Sequence, residues 1–405
     1  MTTTQFHPEA SERATPVLGG PQPPLTLVDL FCGCGGVSAG FMFPGLESPF
    51  RAVLGVDADS LALRSFKANH PGTTAIKADL GALQQSEIRA IARRLRLRAG
   101  ELTALHASPP CQLFSANNRS RNDVAGDPFL FRAIFKWVNV LRPKAVTIEN
   151  VAGMRTALRG TIDSEIRREM GRLGYNVAVD VLNAADYGVP QHRVRLVYLA
   201  YRRDLQVAPA LPTATHGERS NGVRAHVTVA EAIGDLPARE AGDGTESFSS
   251  ESSATDGPLA FEVSSYSTLV SAPQGHEVSH HWAPALSDLA RRRIESLEPG
   301  QALAHLPPNL RPSMGYRGAY GRLDPTKAAS TITGNCDYPS RGRFSHYRET
   351  RGITLREAAR LQSFPDSFDW PLSQRSRVAQ QIGNAVPPLL ARALAGAIVA
   401  AVTQP

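Results

Sequence analysis

Cysteine is scarce in this chain, with 4 residues among 405. So few cysteines exclude a disulfide scaffold of this length and predict free thiols in a reducing compartment. The N-terminal residues have no basic start followed by an apolar run, so we expect no secretion signal. The longest apolar run, Leu389–Val402, is too short to span a bilayer and contains Arg392 and Gly396. These absences predict a cytoplasmic protein without a membrane segment.

Hydrophobic residues, by contrast, make up 42% of the chain, which is enough for a large core and predicts two lobes. Lysine and arginine outnumber aspartate and glutamate, 44 against 37, so the net charge is +7. This balance favours a polyanionic partner such as nucleic acid, although many basic proteins bind none. The charge alone therefore does not decide the partner.

The part of the chain from Thr26 to about Tyr201 alternates between strand-like and helix-like patterns. Strands that alternate with helices predict βαβ units on a parallel sheet, and hence an α/β fold. The last two predicted strands follow each other without a helix, so we expect an antiparallel pair to close the sheet. The predicted strands are TLVDLF, RAVLGVD, TTAIKAD, LTALHAS, AVTIEN, NVAVDVL and VRLVYLAY.

The rest of the chain differs in composition and in sequence pattern from this first lobe, residues 25–201. Residues 1–24 are polar and end in GGPQPP, which predicts a disordered tail. Residues 202–350 lack the alternation, so we predict a second, irregular lobe. Within it, the Ser/Gly/acidic composition of residues 240–257 predicts a surface loop or disorder.

Order returns near the C-terminus. In residues 351–375, which we interpret as a hinge, Thr354 and Glu357 have capping-box spacing at the start of a helix. Residues 376–405 end in the apolar segment PPLLARALAGAIVAAV. We expect that segment to be a helix that packs back on the first lobe.

A glycine-rich turn, DLFCGCGG at Asp29–Gly36, follows the first predicted strand. Glycines at a strand-to-helix turn let a ligand approach the backbone closely. A dinucleotide fingerprint needs G-x-G-x-x-G, but its third glycine position, counted from Gly33, is Ser38. The pattern suits a nucleoside ligand without a pyrophosphate, and a simple tight turn is the alternative.

Acidic residues end the next two predicted strands. Asp57 stands where an acid accepts hydrogen bonds from ribose hydroxyls, and Asp79 could accept one from an adenine amine. Together with the glycine turn, these acids favour a nucleoside site. Cys32 and Cys34 form a C-x-C pair without a second ligand cluster, so we expect no metal there.

A prolyl-prolyl-cysteine sequence, within ASPPCQLFS at Ala107–Ser115, follows the fourth predicted strand. Open α/β sheets bind their ligands at the carboxyl ends of such strands. Cys111 is held there by Pro109 and Pro110 and is followed by the polar sequence SANNRSRNDVAGD. A thiolate fixed at this place, with cationic groups nearby, would be an activated nucleophile.

Three charged residues follow on the next strands. Glu149 ends the strand AVTIEN and is either catalytic or a helix cap. Arg193 and Arg195 are spaced by two residues in QHRVR, so they share a strand face and can converge on one anion or carbonyl. For an isolated R-x-R, two surface charges are the alternative.

Seven motifs in order resemble the bacterial DNA cytosine-5 methyltransferase family: DLFCGCGG, PPCQ, ENV, QHRVR, RLDPTKAASTITG, REAARLQSFPD and QIGNAVPP. The resemblance runs from Thr26 to about Ile398 and omits residues 202–315. It implies a class I S-adenosylmethionine-dependent methyltransferase fold, which is Rossmann-like, with a smaller target-recognition domain. The implied activity is methyl transfer to carbon 5 of cytosine in a specific sequence of double-stranded DNA, in a restriction-modification system or by an orphan enzyme.

The resemblance also implies roles for single residues. Attack by Cys111 on carbon 6 of cytosine would activate carbon 5, while Glu149 donates a proton or hydrogen bond at ring nitrogen 3. Arg195, with Arg193, would hold the base carbonyl, and the cytosine must leave the duplex to reach them. The implied cofactor-binding residues are Phe31, Gly33, Gly36, Asp57, Asp79, Pro110, Asn384 and Val386. The implied DNA-binding residues are Ser115, Arg119, Arg121 and Gln191.

One departure from the family pattern concerns the loop after the cysteine. Family members often carry an arginine after the acidic residue of this loop, whereas this chain has Asp127, Pro128 and Phe129. We therefore expect Arg119 and Arg121 to supply the phosphate contacts. The expected partners are S-adenosylmethionine without a metal, double-stranded DNA and a candidate restriction endonuclease of the same site. We further expect a monomer, associated with the nucleoid.

Two rival interpretations are weighed against this one. An RNA cytosine-5 methyltransferase would have the same fold, but RNA-directed relatives tend to have a compact second lobe and CFT-like residues near REAARLQSFPD, which this chain lacks. A catalytically inactive DNA-binding or cofactor-sensing protein is disfavoured by the presence of Cys111, Glu149 and Arg195. No pattern in the irregular lobe indicates the DNA sequence that is methylated.

Overall fold

The computed structural model describes residues 24–45, 50–110, 127, 129–218, 222–244, 246–250, 264–312 and 318–403. The predicted N-terminal tail lies outside these residues except for Pro24, and so does the part of the Ser/Gly/acidic stretch from Glu251 onward.

A seven-stranded sheet forms the centre of the first lobe, with strand order β3-β2-β1-β4-β5-β7-β6. β1 to β5 are parallel to their neighbours, whereas β7 lies antiparallel between β5 and β6. The predicted antiparallel pair is thus confirmed. The strands are β1 Leu25–Leu30, β2 Phe50–Asp57, β3 Thr74–Lys77, β4 Ala104–Ala107, β5 Ala145–Val151, β6 Tyr175–Asn183 and β7 Val194–Arg202.

Helices connect the parallel strands and cover the sheet. The central strands β1, β4 and β5 are almost wholly buried, as expected for parallel strands with helices on both faces. α4 illustrates the packing, because its apolar stripe of Ile134, Trp137, Val138 and Leu141 is buried in the core. The helices of this lobe are α1 Gly36–Phe41, α2 Ser60–Asn69, α3 Gln85–Arg94, α4 Arg132–Leu141 and α5 Thr161–Arg172.

The strand order reverses at β1, which pairs with β2 on one side and with β4 on the other. Such a switch point opens a crevice at the carboxyl ends of the strands, because the connecting helices leave in opposite directions. The glycine-rich turn follows β1, and the prolines before Cys111 follow β4. The topology therefore brings these two motifs to the same crevice.

The C-terminal segment folds back on this lobe as predicted. By length and composition alone Arg375–Val402 could cross a membrane, but it consists of two helices, α10 Arg375–Asn384 and α11 Pro388–Val402. α11 packs so closely on α1 that a Cβ atom on Gly40 would lie 2.5 Å from the Cβ of Ala391. Its apolar face is thus buried within the core.

Residues 203–350 are irregular, as the sequence predicts. Among the described residues, the regular elements of this region are short. β8 pairs with β9, and β10 pairs with β11. The elements are β8 His216–Gly217, β9 Arg224–Ala225, α6 Val229–Ile233, β10 Phe248–Ser249, α7 Ser265–Val270, β11 Glu277–Val278 and α8 Asp288–Glu295.

The helix α9, Leu355–Leu361, joins the irregular region to the rest of the chain. Its predicted capping box is confirmed, because Thr354 Oγ1 accepts from the Glu357 amide at 3.1 Å and the Glu357 carboxylate accepts from the Thr354 amide at 2.8 Å. Buried Arg351 pairs with Glu357 at 2.7 Å, and buried Arg360 pairs with Asp366 at 2.6 Å. Removing one partner of such a pair costs about 3–5 kcal/mol, because it leaves a buried charge uncompensated.

Candidate active site

A cleft of about 1780 Å³ opens at the carboxyl ends of β1, β2 and β5. Its opposite side is formed by residues 330–335, residues 340–344 and α10. Eleven of the residues predicted from the sequence line this one cleft: Phe31, Gly33, Gly36, Asp57, Asp79, Pro110, Glu149, Arg193, Arg195, Asn384 and Val386.

The two predicted glycines of the turn have different physical roles. Gly33 has φ +54°, a left-handed conformation that favours glycine, and a Cβ atom there would meet nothing within 4 Å. Its amide donates to Asp57 Oδ2 at 2.8 Å, which fixes the turn to the end of β2. A Cβ atom on Gly36 would instead lie 2.5 Å from the Val386 carbonyl oxygen. Gly36 is therefore needed for close packing of the turn against the C-terminal segment.

Asp29, at the end of β1, is a cleft residue that the sequence analysis did not select. Its carboxyl is buried, and Ser38 Oγ donates to Oδ2 at 2.8 Å. The Oδ1 atom has no hydrogen-bond partner among the described residues. Burial raises the pKa of Asp29 to about 7, and the nearby Asp57 carboxylate adds to the increase. Ser38, which stands at the third glycine position of the dinucleotide fingerprint, thus holds the Asp29 carboxyl in the cleft.

The other acids and Phe31 lie closer to the rim. Asp57 Oδ1 accepts from the Asp59 amide at 2.8 Å, and burial raises the pKa of Asp57. Asp79 is exposed and accepts from the Gly81 amide at 2.9 Å. Phe31 has φ 55°, an unusual conformation for a residue with a side chain, and its half-buried ring lines the cleft. An apolar ring, two acids at the strand ends and a glycine with free space beside its backbone are a combination that suits a nucleoside.

The segment that leads into Cys111 is fixed by the neighbouring strand. Asn150, buried at the end of β5, donates from Nδ2 to the Pro109 carbonyl at 3.0 Å. On β4, His106 bridges Thr147 Oγ1 at 2.8 Å and Ser108 Oγ at 2.7 Å, and burial lowers its pKa to about 3. Both sides of the Pro109 segment are therefore tied to buried groups.

Cys111, Ser115, Arg119 and Arg121 lie outside the described residues. Pro110, the residue next to Cys111, lines the cleft directly. The chain thus enters the segment with Cys111 from a fixed point at the cleft.

Glu149 and Arg195 form an ion pair in the cleft, with 2.9 Å between Oε1 and Nε. The antiparallel register of β5 and β7 explains this contact, because Glu149 is opposite Val197 and Arg195 lies two residues away on the same face. Both side chains are mostly buried, with 9% and 14% exposed. The insertion of β7 beside β5 therefore creates the pair.

Arg193 and Arg195 both line the cleft, and their joint contact with one ligand stays a prediction, but the two side chains are held differently. β7 begins at Val194, so Arg193 precedes the strand. Its guanidinium is buried and donates to the carbonyl oxygens of Ile332 at 3.1 Å and Ala385 at 3.0 Å. These carbonyls are within reach because the segments that contain Ile332 and Ala385 pack against the start of β7. Arg193 therefore holds together parts of the opposite side of the cleft.

Gln191, a predicted DNA-binding residue, has no exposed side-chain group in the structure. The side chain is fully buried and does not line the cleft. Its Oε1 accepts from the Ile332 amide at 2.9 Å, and its Nε2 donates to the Leu361 carbonyl at 2.8 Å and to the Gln362 side chain. All of its polar atoms are thus engaged inside the protein.

The described cysteines have no reactive setting. Cys32, Cys34 and Cys336 are free and buried. Burial raises the pKa of Cys34 and of Cys336 to about 12, so both thiols stay protonated at neutral pH. The described residues contain no cluster of three or more metal-ligating side chains.

A family model described as C-5 cytosine-specific DNA methylase matches residues 25–400. The chain belongs to this DNA methylase family. It is accordingly a DNA cytosine-5 methyltransferase, and S-adenosylmethionine is the methyl donor. The match spans all the cleft residues named above.

Curated relatives and solved structures agree with this assignment. The methylase is 32% identical to Type II methyltransferase M1.HphI of Haemophilus parahaemolyticus, over 93% of this chain and 87% of the relative. It is 30% identical to Type II methyltransferase M.DdeI of Desulfomicrobium norvegicum, over 92% and 88%. A DNA modification methyltransferase encoded within an E. coli prophage shares the fold, with a TM-score of 0.71, 22% identity, 94% of this chain covered and 100% of that one. The predicted class I methyltransferase fold is confirmed.

Proposed function

We propose that this methylase modifies cytosine in double-stranded DNA by a covalent route through Cys111, on a base turned out of the duplex. The observation that carries the proposal is the Glu149–Arg195 pair, at 2.9 Å in the same cleft as Pro110. A base inside a duplex is stacked and cannot enter such a cleft, so the target nucleotide must be extruded.

Cys111 is the proposed nucleophile. Carbon 5 of cytosine is a poor nucleophile, and addition of a thiolate to carbon 6 makes carbon 5 electron-rich. The hydrogen bond from Asn150 to the Pro109 carbonyl supports this role, because it fixes the backbone two residues before the thiol. A nucleophile held in one place reacts faster, since little orientational freedom remains to be lost.

Glu149 and Arg195 are the proposed partners of the base. Addition at carbon 6 places negative charge on ring nitrogen 3, where Glu149 donates a proton or hydrogen bond. Arg195 keeps the carboxyl oriented through Nε, its Nη1 donates to the Val194 carbonyl at 2.8 Å, and its Nη2 is the group proposed to contact the base carbonyl. After methyl transfer, loss of the carbon 5 proton expels the Cys111 thiolate.

The strand-end side of the cleft is the proposed cofactor site. S-adenosylmethionine supplies an electrophilic methyl group when bound. Phe31 contacts the adenine, Asp79 accepts from its amine, and Asp57 accepts from the ribose hydroxyls. The free Oδ1 of buried Asp29 fits the ammonium group of the same molecule. Pro110, Asn384 and Val386 close the site from the other elements, and Gly33 and Gly36 shape the turn; the proposal includes no metal.

The DNA contacts are assigned by position. Ser115, Arg119 and Arg121 follow the nucleophile and are proposed to hold the target strand. The irregular region 202–350 is the proposed target-recognition domain, in which residues 208–315 read the sequence. The chain is proposed to act as a monomer near the nucleoid. A restriction endonuclease of the same specificity is a proposed companion, because the curated relatives are Type II methyltransferases.

A covalent trap tests the proposal. Bisulfite sequencing of DNA from cells that express the protein identifies the methylated site, and a duplex is then made with 5-fluorocytosine there. The fluorinated ring has no carbon 5 proton to lose, so we expect a protein–DNA adduct on a denaturing gel after methyl transfer. An ordinary duplex that is methylated while the fluorinated one gives no adduct would overturn the covalent route.

The matched variants are Cys111→Ser and Cys34→Ala. We expect Cys111→Ser to give no adduct and to lose methyl transfer by about 10⁴-fold or more, because a hydroxyl at neutral pH is a far weaker nucleophile than a thiolate. Cys34→Ala removes a buried protonated thiol and should still give the adduct. An RNA of the same sequence serves as a further arm, and methylation of the RNA but not the DNA would contradict the proposed substrate.

A further inference from the structure

The two sides of the cleft differ in charge. The strand-end side carries five acids, Asp29, Asp57, Asp59, Asp79 and Glu149, together with the mostly buried Arg193 and Arg195. Among the described residues that line the opposite side there is no carboxylate, but there are three arginines, Arg341, Arg343 and Arg377. We call these three residues the basic wall.

The loop that carries Arg341 and Arg343 is fixed by buried side chains and by backbone hydrogen bonds. Buried Cys336, Pro339 and Phe344 alternate with exposed residues along it. The Pro339 carbonyl accepts from the Tyr320 amide at 2.7 Å, and the Cys336 amide donates to the Thr333 carbonyl at 3.1 Å. The outward residues therefore project from a fixed backbone rather than from a free loop.

The outward residues of this loop are Tyr338, Ser340, Arg341 and Arg343. Tyr338 is 54% exposed, which is unusual for a large aromatic side chain on an anchored loop. A tyrosine hydroxyl and arginine guanidiniums are groups that proteins direct at phosphate oxygens. Ser340, Arg341 and Arg343 line the cleft together, and this grouping, with exposed Tyr338 next to it in sequence, points to a phosphodiester backbone.

The basic wall also differs from the arginines of α9 and of the segment just before it. Arg351 and Arg360 are buried in ion pairs, and Arg356 donates to the carbonyls of Ser279 and Phe368. In the part of the chain that the structure describes, no carboxylate lies within ion-pair distance of the basic wall. Three unneutralised cations on one side of a cleft attract a polyanion and repel each other without it.

We infer that the basic wall, with Tyr338, grips the phosphate backbone of the DNA duplex independently of its sequence. This inference rests on the proposed function and adds the place where the non-specific part of the affinity arises. Arg377 lies on α10 and the other two follow residue 340, so the whole wall lies outside residues 208–315. Exchange of residues 208–315 for those of a relative should therefore change the target sequence and keep the grip.

Salt dependence of binding tests the inference. Each phosphate contact contributes about −0.9 to the slope of log K against log salt concentration. The variant Arg341→Gln/Arg343→Gln/Arg377→Gln should therefore have a slope less negative by about 2.7 if each arginine holds one phosphate. The loss should be equal for a duplex with the target site and one without it, measured by fluorescence anisotropy.

The control variant removes the same total charge elsewhere. Arg98, Arg168 and Arg172 are 82%, 69% and 66% exposed and are not cleft residues. Their change to glutamine should leave the slope within about one contact of the unchanged protein, since general charge loss acts weakly at a distance. Equal slopes for the basic-wall and control variants would overturn the inference, provided that both have unchanged melting temperatures.

The outcomes separate this inference from the proposed function. If the unchanged protein neither binds nor methylates duplex DNA, the proposed function fails. If it binds and methylates but the basic-wall variant keeps the full slope, only the inference fails. The Tyr338→Phe variant tests the tyrosine separately. A salt slope that is less negative by one phosphate contact supports a contact of the hydroxyl with DNA. An unchanged slope excludes Tyr338 from the phosphate contacts.

Discussion

The two sides of the cleft solve different physical problems. On the strand-end side, polar groups are buried and hold one another, as Ser38 holds Asp29 and Arg195 holds Glu149. On the opposite side, Arg341 and Arg343 are exposed and rest on a buried layer. Buried, prearranged groups act on a small reacting centre, because they need no reorganisation when charge develops. Exposed cations suit a long polyanion, because counterion release needs only proximity.

The largest expected effect is that of Glu149→Gln, a change on the strand-end side of the cleft, on methyl transfer. The change removes the proton donor and the ion pair with Arg195, so methyl transfer should fall by about 10²–10⁴-fold. Single-turnover transfer of a labelled methyl group measures this. Binding of duplex DNA should change little, since the basic side of the cleft is untouched.

A matched control for that variant is Glu165→Gln. Glu165 pairs with Arg132 at 2.6 Å on α5 and α4 and does not line the cleft. Loss of this pair should lower stability without a large effect on the single-turnover rate. If both variants lost transfer equally, the Glu149 effect would be structural and the chemical role assigned to it would be wrong.

A smaller effect is expected for Asn150→Ala, which leaves the buried Pro109 carbonyl without its donor. We expect a loss of about 1–3 kcal/mol in stability, and a fall in single-turnover rate of up to about 10²-fold because the backbone before Cys111 is no longer fixed. Affinity for S-adenosylhomocysteine, measured by calorimetry, should stay close to normal. Asn139→Ala, an exposed residue on α4, is the control; an Asn150 variant as fast as this control contradicts a positioning role.

The smallest effect concerns Asp29 and pH. Its pKa is raised to about 7 in the free protein, so the carboxylate fraction rises about tenfold between pH 6 and pH 8. Affinity for S-adenosylhomocysteine, which has the same ammonium group, should rise by a similar factor over that range. Asp29→Asn should abolish this dependence, and an unchanged slope in the variant would remove Asp29 from the site.

The same carboxyl gives a check on stability. Asp29 keeps its proton to about pH 7 when folded but has an ordinary pKa of 3.8 when unfolded. The folded state thus binds the extra proton between these values, and the free energy of unfolding falls as pH rises through that window. Urea denaturation at pH 4, 5.5 and 7 should show this decrease in the unchanged protein and a smaller one in Asp29→Asn.

Local pattern was enough to predict the sheet, the capping box at Thr354 and the acids at strand ends. It did not predict burial that distant segments decide. Gln191 and Arg193 have the sequence context of surface residues, yet segments near Ile332, Leu361 and Ala385 cover them. Asp29 was missed for the opposite reason, since a single acid in an apolar strand gives no periodic signal. The Glu149–Arg195 contact depends on where β7 inserts, and strand runs alone do not specify strand order.

Three buried arginines, two on α9 and one just before it, attach this segment to the irregular region. Arg356 donates to the Ser279 carbonyl, Arg360 to the Ala232 carbonyl and Arg351 to the Arg239 carbonyl, all within the irregular region. A main-chain carbonyl presents the same oxygen whichever side chain its residue carries. Substitutions at Ser279, Ala232 and Arg239 can therefore keep these three hydrogen bonds, whereas Asp235, whose carboxylate pairs with Arg360 at 2.6 Å, is tied to its side chain. Part of the attachment of the irregular region to the segment 351–361 is thus independent of the side chains that this region carries.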